Sequence, residues 1–346
     1  MYNGLSRAPK TAQFALESRQ VPVISFESKV SHSDLVAFAD KRVNLKREDV
    51  ETERAQVNRV RERLAEYISE HPDFDLVKML NAGSLAKGTA LKTINDADVA
   101  VYVKAGKAPG NERALIAWLE MRLREAYSNL PSDRFKAKHH CVTISFSGTG
   151  LDIDVVPVLR EDGDPVDDGY LVTSAGKRVL TNIPKHLEFI RKRKNANPEH
   201  FRQIVRFMKW WKRQQVSNNG SFRCKSFLLE LIVAYLFDNG LDGSNYPSAL
   251  EAVFKYIVTS GLRSPISFAD YYKPSQLPKN DTSLMRIYDP VNPHNNIVAR
   301  YTDRDRLAIV AAAQDSLEAI VYAGFATTKA IAVEQWRRVF GPSFEA

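Results

Sequence analysis

Two pairs of aspartates stand at alternate positions in segments with the pattern of strands. Asp96 and Asp98 form the first pair, and Asp152 and Asp154 form the second. Residues i and i+2 of an extended strand point to the same face, so each pair presents two carboxylates on one side. Three of these four acids, within reach of each other, can hold two Mg²⁺ ions, because oxygen ligands suit that hard cation and substrate phosphates complete its coordination.

A glycine-rich segment precedes the first pair. Residues 83–89 read GSLAKGT, in which Gly83 and Gly88 permit a tight strand-to-helix turn and a close approach of the backbone to phosphate. Ser84 can donate a hydroxyl hydrogen bond, and free amides at the start of a following helix attract an anion. A glycine turn or an Asp-x-Asp pair alone is more often an ordinary loop or a solvated strand edge. The two motifs in this order, with a second acidic strand downstream, form a specific combination.

Strands must position both motifs. Alternating apolar residues predict strands at Phe74–Ala82 and around Val99–Val103. Val142–Phe146 and Leu151–Pro157 alternate in the same way and are joined by a short Gly-Thr-Gly turn, which predicts an antiparallel hairpin. A helix is predicted over Glu112–Tyr127. The sequence therefore indicates a mixed sheet with helices.

The chain is predicted to be helical from about residue 33 to residue 70, with a long amphipathic helix at 45–70. One of its faces is apolar, and it carries Val50, Val57, Val60, Leu64, Tyr67 and Ile68. The helix is expected to end at His71-Pro72-Asp73, since proline cannot continue the hydrogen-bond ladder. A helix of this length, early in a chain with two lobes, can serve as a spine that packs against both.

Beyond residue 180 the pattern becomes helical. The predicted helices are Pro184–Lys194, Pro198–Gln215, Lys225–Asn239, Ser248–Thr259 and Asp303–Ala323. The sequence thus predicts an α+β protein with a flexible tail at 1–30, a mixed-sheet lobe with its spine helix at 31–180, and a helical lobe at 181–346.

Composition narrows the functional class. The chain has 346 residues, 44% hydrophobic and 26% charged, which is typical of a soluble globular protein. It has no long apolar run and no apolar signal core at its start, so a cytoplasmic protein without a membrane span is expected. Cys141 and Cys224 are too few for a disulfide framework, and His139-His140-Cys141 lacks a fourth zinc ligand. The net charge of +8 favours polyanionic ligands such as nucleotides or nucleic acid.

The motifs together resemble a known enzyme core. Gly83-Ser84, Gly88-Thr89 and Asp96-Ala97-Asp98-Val99, followed by Asp154-Val155-Val156-Pro157, resemble the nucleotidyltransferase core of the DNA polymerase β superfamily. More narrowly they resemble the group of 2′,5′-oligoadenylate synthases, cyclic GMP-AMP synthases and the bacterial cGAS/DncV-like nucleotidyltransferases (CD-NTases). The resemblance spans about residues 35–325, and it implies a polymerase-β-like lobe, a spine helix and a C-terminal helical lobe.

The resemblance assigns roles to the acids. Asp96, Asp98 and Asp154 match the metal-binding catalytic acids; Asp154 is preferred to Asp152 because it stands just before the step Val155-Val156-Pro157. The implied cofactor is a pair of Mg²⁺ ions, for which Mn²⁺ can substitute. One ion lowers the pKa of an attacking ribose hydroxyl, and the other clamps the triphosphate and the pyrophosphate leaving group.

The resemblance also assigns phosphate contacts. It implies that Ser84 bonds the β- or γ-phosphate of the donor, that Arg206 and Lys209 present positive charge from one helix face, and that Lys225 and Ser226 meet the triphosphate at the start of the next helix. Without the motif, a basic helix is more often a solvated face. The aromatic residues around Lys209 are more often core than base-stacking groups, and Glu230 is interpreted as structural.

Further segments resemble CD-NTases of clades C and D, found in anti-phage CBASS operons. They are Phe74–Val103 and the region 280–301 with Asp289-Pro290-Val291-Asn292-Pro293. The resemblance implies synthesis of a cyclic trinucleotide second messenger, mostly adenine-based, from ATP with other NTPs as further substrates. It also implies a HORMA-domain activator, with double-stranded DNA as a further ligand.

Two other functions share these residues. A template-independent tailing enzyme or a tRNA nucleotidyltransferase would use the same Asp96, Asp98 and Asp154, but needs an RNA acceptor track that the sequence does not display. An inactive polymerase-β-fold module that binds nucleic acid has no reason to keep the three acids together. The basic cluster at 191–194 with Lys185 ends a predicted helix, where cations are favourable in any case, and a nucleic-acid contact is the alternative interpretation.

Overall fold

Alternating apolar residues form one mixed sheet. The structure is a computed structural model that describes residues 29–71, 75–92, 96–148, 150–173 and 175–346, and the backbone but not the side chain of Asp96. Within these residues the sheet has seven strands: β1 (Leu76–Ala82), β2 (Asp96–Lys104), β3 (Phe135–Ala137), β4 (Val142–Phe146), β5 (Leu151–Arg160), β6 (Gly169–Val172) and β7 (Arg178–Thr181). The spatial order is β1-β2-β5-β4-β3, and β6 joins β5 to β7.

The two central strands, β2 and β5, run parallel, and the other strand pairs are antiparallel. Val99, Val101 and Val103 of β2 are buried on the face covered by helices, while Ala100 and Tyr102 pack with other residues on the opposite face. Burial on both faces explains why the apolar pattern of β2 is nearly continuous. The predicted hairpin of β4 and β5 is confirmed.

The helices of the sheet lobe are α2 (Arg47–Glu70), the single-turn α3 (Gly83–Lys87) and α4 (Glu112–Ala126). The apolar face predicted for the long helix is confirmed, because Val57, Val60 and Leu64 of α2 are buried against the sheet. The long helix predicted at 45–70 corresponds to α2. The helical stretch before it consists of α1 (His32–Phe38) and a π-helical turn (Ala39–Val43), and it is separated from α2 because Asn44 has an extended backbone and pairs with Leu91.

The first described residues pack with the helical lobe, although the sequence-based boundary assigns residues from 31 onward to the sheet lobe. Val30, Leu35 and Phe38 are buried in the core of the helical lobe, and the Phe38 ring stacks on Phe340 at 5.5 Å between centroids. The segment 30–43 therefore crosses over to the C-terminal half before α2 begins. Most of the predicted 1–30 tail lies outside the described residues, but Val30 is fully buried.

The C-terminal half is helical, as predicted. Its elements are α5 (Ile183–Ala196), α6 (Phe201–Asn218), α7 (Ser226–Asp238), α8 (Tyr246–Ser260), the hairpin strands β8 (Tyr288–Asp289) and β9 (Asn292–Asn296), α9 (Asp303–Gly324) and α10 (Lys329–Phe340). The core role expected for the aromatic residues of α6 is confirmed: Trp210 donates to the Phe340 carbonyl and Trp211 to Ser316 Oγ. In the part of the chain that is described, α9 is the helix whose length and apolar composition would allow a membrane span. Its Ile309 and Ile320 pack in this core.

The β8–β9 hairpin was not predicted as a strand pair, and it connects the two halves. Asn292 Nδ2 donates to the Leu180 carbonyl of β7 at 3.1 Å, and His186 Nε2 of α5 lies 2.8 Å from Asp289 Oδ1. These contacts join the end of the sheet to the helical lobe, and a cleft lies beside them.

Candidate active site

The two acidic segments meet on adjacent strands. Asp98 of β2 lies opposite Asp154 of β5 in the parallel register, and the Asp96 backbone lies opposite Asp152. Neighbouring strands are about 4.8 Å apart. Residues far apart in sequence therefore place acidic positions side by side at one end of the two central strands, as the metal-site interpretation requires.

The glycine turn lies directly on the Asp98 carboxylate. Gly83 has a φ of +66°, and a Cβ added to it would overlap Asp98 Oδ2 and lie 2.5 Å from Asp98 Cγ. Only glycine combines this backbone conformation with this approach. Ser84 follows in α3, and its carbonyl accepts from the Thr89 amide at 2.9 Å, which closes the turn. The predicted tight strand-to-helix turn is thus present, and it brings the Gly83 backbone next to the Asp98 carboxylate.

Two side chains hold the Asp154 carboxylate, and neither was singled out from the sequence. Thr143 Oγ1 of β4 donates to Asp154 Oδ1 at 2.6 Å, and Lys138 Nζ lies 2.9 Å and 3.0 Å from the two carboxylate oxygens. The Asp154 side chain is 15% exposed. Thr143 could have been found, because it stands opposite Asp154 in the register of the predicted hairpin; Lys138 lies beyond that hairpin.

The residues at this end of β2 and β5 are suited to bind a divalent cation. The lysine ammonium that bridges both oxygens of Asp154 shows that positive charge is accommodated there, and the carboxylate oxygens are the donors that Mg²⁺ prefers. Among residues whose side chains are described, no group of three or more His, Cys, Asp or Glu is arranged for a metal ion. The Asp96 side chain stands outside that set, so of the three acids assigned to the metal site the carboxylates of Asp98 and Asp154 are described.

A cavity of about 550 Å³ opens beside the glycine turn, in the size range of small-molecule sites. Both halves of the chain line it, from Gly83 of the sheet lobe to Lys225 at the start of α7. Its cationic lining residues are Lys87, Lys177, Lys225 and Arg300. Apolar groups such as Phe227 complete the wall, so the cavity combines positive charge with an apolar surface.

Lys225 lies where the sequence placed it, in the cavity wall. Its amide donates to Tyr301 Oη at 2.8 Å, which fixes the start of α7. Burial, with a contribution from the neighbouring Arg223 and Arg300, lowers the pKa of Lys225. Ser226 is turned toward α6 instead, since its hydroxyl accepts from Lys212 Nζ at 3.0 Å.

Arg206 and Lys209 lie behind the glycine turn rather than in the cavity. Arg206 donates to the Gly88 carbonyl at 2.8 Å, and Lys209 Nζ donates to Thr89 Oγ1 at 2.7 Å. Lys209 is buried and Arg206 is half-buried, and partial burial lowers the pKa of Arg206 to about 10. In this arrangement both side chains contact the glycine loop, and the direct phosphate contact expected of them stays a prediction.

Glu230 connects this loop to the helical lobe. It is 2% exposed, and its carboxylate lies 2.6 Å from Lys87 Nζ and 3.5 Å from Lys209 Nζ. Burial acts to raise the pKa of Glu230, but the two ammonium groups hold it below its usual range. Two cations share one anion, which leaves positive charge beside the cavity. Lys87 is part of the cavity wall and also lies 4.7 Å above the Phe227 ring.

The basic cluster at the end of α5 is tied down by acids. Arg193 is 5% exposed, lies 2.8 Å from Asp270 and also pairs with Asp238. Lys192 lies 3.1 Å from the same Asp270. Arg193 therefore stabilises the helical lobe and is not available as a nucleic-acid contact.

Comparisons of sequence agree with this geometry. The Second Messenger Oligonucleotide or Dinucleotide Synthetase domain family matches residues 30–193. The cyclic AMP-AMP-AMP synthase of Escherichia coli strain MS 115-1 is 45% identical over 317 residues, which cover 91% of this chain and 98% of the relative. The CBASS oligonucleotide cyclase CdnC of E. coli strain KTE188 is 32% identical over 328 residues, 90% of this chain and 96% of the relative.

Solved structures give the same result. E. coli MS115-1 CdnC has been solved in complex with a HORMA protein lacking its N-terminus and also with ATP. Both structures match with a TM-score of 0.85 at 45% identity over 92% of this chain. The match covers 99% of the CdnC chain in the HORMA complex and 100% of it in the structure with ATP. Vibrio cholerae DncV with bound 3′-deoxy GTP matches with a TM-score of 0.65 at 15% identity, over 91% of this chain and 96% of DncV, and so shares the fold. With two curated relatives aligned along nine-tenths of its length, the chain belongs to the CD-NTase family of CBASS oligonucleotide cyclases, and it is a nucleotidyltransferase of α+β fold.

Proposed function

We propose that this chain joins ATP into a cyclic trinucleotide, cyclic AMP-AMP-AMP or a related adenine-rich product, and releases pyrophosphate. The cyclic product signals phage infection in the cytoplasm. The observation that carries the proposal is the register of Asp98 opposite Asp154 beside a basic cavity of nucleotide size. The 45% identity to a cyclic AMP-AMP-AMP synthase supports the choice of product.

The proposed metal site consists of Asp96, Asp98 and Asp154. Divalent cations bound there, Mg²⁺ or Mn²⁺, would lower the pKa of the attacking ribose hydroxyl and neutralise the triphosphate. Thr143 orients the Asp154 carboxylate through its 2.6 Å hydrogen bond. A carboxylate that is already oriented toward the metal site needs less reorganisation energy when the reaction begins.

The proposed phosphate site is the wall formed by the glycine turn and the cavity cations. Gly83 allows the backbone to approach the acids, Ser84 is the proposed hydroxyl donor, and Lys87 and Lys225 supply positive charge. Arg206 and Lys209 act as positioning residues: they hold the carbonyl of Gly88 and the side chain of Thr89, so the loop keeps its shape when phosphate binds. Most of the work of the protein is then positioning and charge neutralisation.

The proposed activator is a HORMA-domain protein, because the relative CdnC has been solved in complex with one. Double-stranded DNA, expected from the resemblance, is tested as one arm of the experiment below.

The test uses the purified full chain with each labelled NTP and Mg²⁺, with and without a HORMA-domain protein and with and without DNA. Products are identified by mass spectrometry. We expect an adenine-based cyclic trinucleotide and pyrophosphate from wild type. We expect none from Asp98→Asn or Asp154→Asn, while the exposed control Asp162→Asn keeps wild-type turnover. Linear tails added to RNA, or activity that survives both aspartate changes, would overturn the proposal.

A further inference from the structure

We propose that the side chain of Lys138 occupies the metal site in the metal-free enzyme. Its ammonium group neutralises Asp154 and must be displaced before a divalent cation can bind. The Lys138 ammonium lies 2.9 Å and 3.0 Å from the two oxygens of Asp154, a two-oxygen contact of the kind a metal ion would compete for. This inference rests on the metal site of the proposed function.

The charges around Asp154 explain why such an occupant is needed. Asp98 stands opposite Asp154 on the next strand, so two carboxylate groups are brought close together there. Thr143 supplies a neutral hydrogen bond to one oxygen only. Among the described hydrogen bonds and ion pairs of Asp154, Lys138 provides the positive charge.

The position of Lys138 allows it to leave. It follows directly after β3, at the edge of the sheet, and its amide donates to the Cys141 carbonyl at 2.8 Å, so the backbone is fixed by a tight turn. Its side chain is 42% exposed, whereas the Asp154 side chain is 15% exposed. The flexible four-carbon stem can therefore swing the ammonium into solvent while the carboxylate and the backbone stay in place.

Displacement of Lys138 has a cost that lowers the affinity for free metal ions. The bare ion must break the contact with the ammonium, whereas an ion that arrives with a nucleotide gains the phosphate ligands as well. The ion pair of Lys138 and Asp154 thus stabilises the site without metal and favours binding of the metal together with ATP.

The experiment measures Mn²⁺ binding without nucleotide, by titration calorimetry and by the electron paramagnetic resonance signal of the free ion. The variants are Lys138→Met, Lys138→Gln as a polar alternative should the first not fold, and Lys136→Met as an exposed control on the same strand edge. We expect removal of the Lys138 ammonium to tighten Mn²⁺ binding about fivefold, the scale of a partly exposed ion pair, with Lys136→Met unchanged. In EDTA the Lys138 variants should also melt below wild type, and Mn²⁺ should reduce that difference.

The outcomes separate this inference from the proposed function. Equal Mn²⁺ affinity in wild type and in the Lys138 variants, measurable or not, overturns the role of Lys138. Binding that is also unchanged in Asp98→Asn and Asp154→Asn overturns the proposed metal site itself. Binding that is lost in the aspartate variants but unaltered by Lys138→Met leaves the metal site standing and rejects Lys138 alone.

Discussion

At the scale of single residues, the account depends on how tightly a few side chains are held around the acids. Asp154 is oriented by one buried hydroxyl, and Asp98 is covered by a turn that only glycine can form. Each of these contacts can be removed by a single small substitution. The size of the loss then measures how far catalysis depends on orientation.

Thr143→Val keeps the shape of the side chain and removes the hydrogen bond to Asp154 Oδ1. Partners that orient metal ligands are typically worth about 10- to 100-fold in metal affinity or activity, so we expect turnover to fall by about that factor with the fold intact. Steady-state kinetics at several Mg²⁺ concentrations measure the effect. Thr259→Val, which removes a hydroxyl bonded to a carbonyl of α8, is the matched control. Wild-type turnover in Thr143→Val would show that the hydroxyl has no orienting role.

Gly83→Ala should abolish activity, because the new methyl group would overlap the Asp98 carboxylate and the residue would keep a left-handed backbone. Backbone strain of this kind costs about 1–3 kcal/mol. Pyrophosphate release and urea unfolding measure the two effects. Gly106→Ala is the control, since its added Cβ meets no atom within 4 Å. An active Gly83→Ala enzyme would contradict the close approach of turn and acid.

Lys225 predicts a pH dependence of ATP binding. Burial, Arg223 and Arg300 lower the pKa of Lys225, so its ammonium loses its proton at a lower pH than the usual value of about 10.4. The charged form attracts phosphate, so ATP affinity should weaken as pH rises through this lowered pKa. Lys225→Arg should extend tight binding to higher pH, because arginine stays protonated. Identical alkaline limbs for the two proteins, measured by ATP titration from neutral to alkaline pH, would exclude Lys225 from the phosphate site.

At the scale of secondary-structure elements, one buried ion network connects α3, α6 and α7. Glu230 of α7 holds Lys87 of α3 and Lys209 of α6. Glu230→Gln removes the shared carboxylate and leaves two partly buried ammonium groups without an anion. Breaking a buried pair in this way typically costs about 3–5 kcal/mol, so we expect a loss of that order in the free energy of unfolding. Glu62→Gln on the exposed side of α2 is the control.

The same network predicts an acid dependence of stability. The pKa of Glu230 in the folded state lies below its unfolded value, so its contribution is fully present above the unfolded pKa. That contribution is lost as pH falls through the folded pKa. Urea unfolding as a function of pH should therefore show a smaller acid-induced loss in Glu230→Gln than in wild type. Parallel pH curves for the two proteins would contradict the coupling of Glu230 to the lysines.

The elements show which parts of the structure could be predicted. The β4–β5 hairpin and the buried face of α2 follow from local alternation and periodicity, because each buries residues that recur at a fixed interval. The break between the π-helical turn and α2 at Asn44 depends on a contact with Leu91. Hydrophobic periodicity is a local pattern and does not predict such a long-range pairing. The same limit explains the missed helix α10, which completes the aromatic core around Phe38.

The candidate site shows the same division. The Asp-x-Asp pair on β2, the later acid on β5 and the glycine turn were predicted to meet, and the register brings Asp98 and Asp154 together. Arg206 and Lys209 were expected in the phosphate site, but the sequence does not show which element covers a helix face. Lys138 was missed because it acts across the sheet edge, outside any motif.

At the scale of the whole molecule, the cavity between the halves of the chain is the shared product of both. The acids and the glycine turn come from the sheet lobe, whereas Lys225 and the β8–β9 hairpin come from the helical lobe. The segment 30–43 packs in the helical lobe and leads into α2 of the sheet lobe, so it connects the two halves of the chain. Ligand sites are common at such boundaries, where two rigid units contribute different chemistry.

The proposed metal site requires that Asp98 and Asp154 together bind divalent metal at the edge of this cavity. Anomalous X-ray scattering from crystals soaked with Mn²⁺ and a non-hydrolysable ATP analogue locates the ions. We expect Mn²⁺ peaks in direct contact with both carboxylates and with the triphosphate, with the Lys138 ammonium moved away from Asp154. Peaks elsewhere, or a bound triphosphate with no metal between the two aspartates, would contradict it.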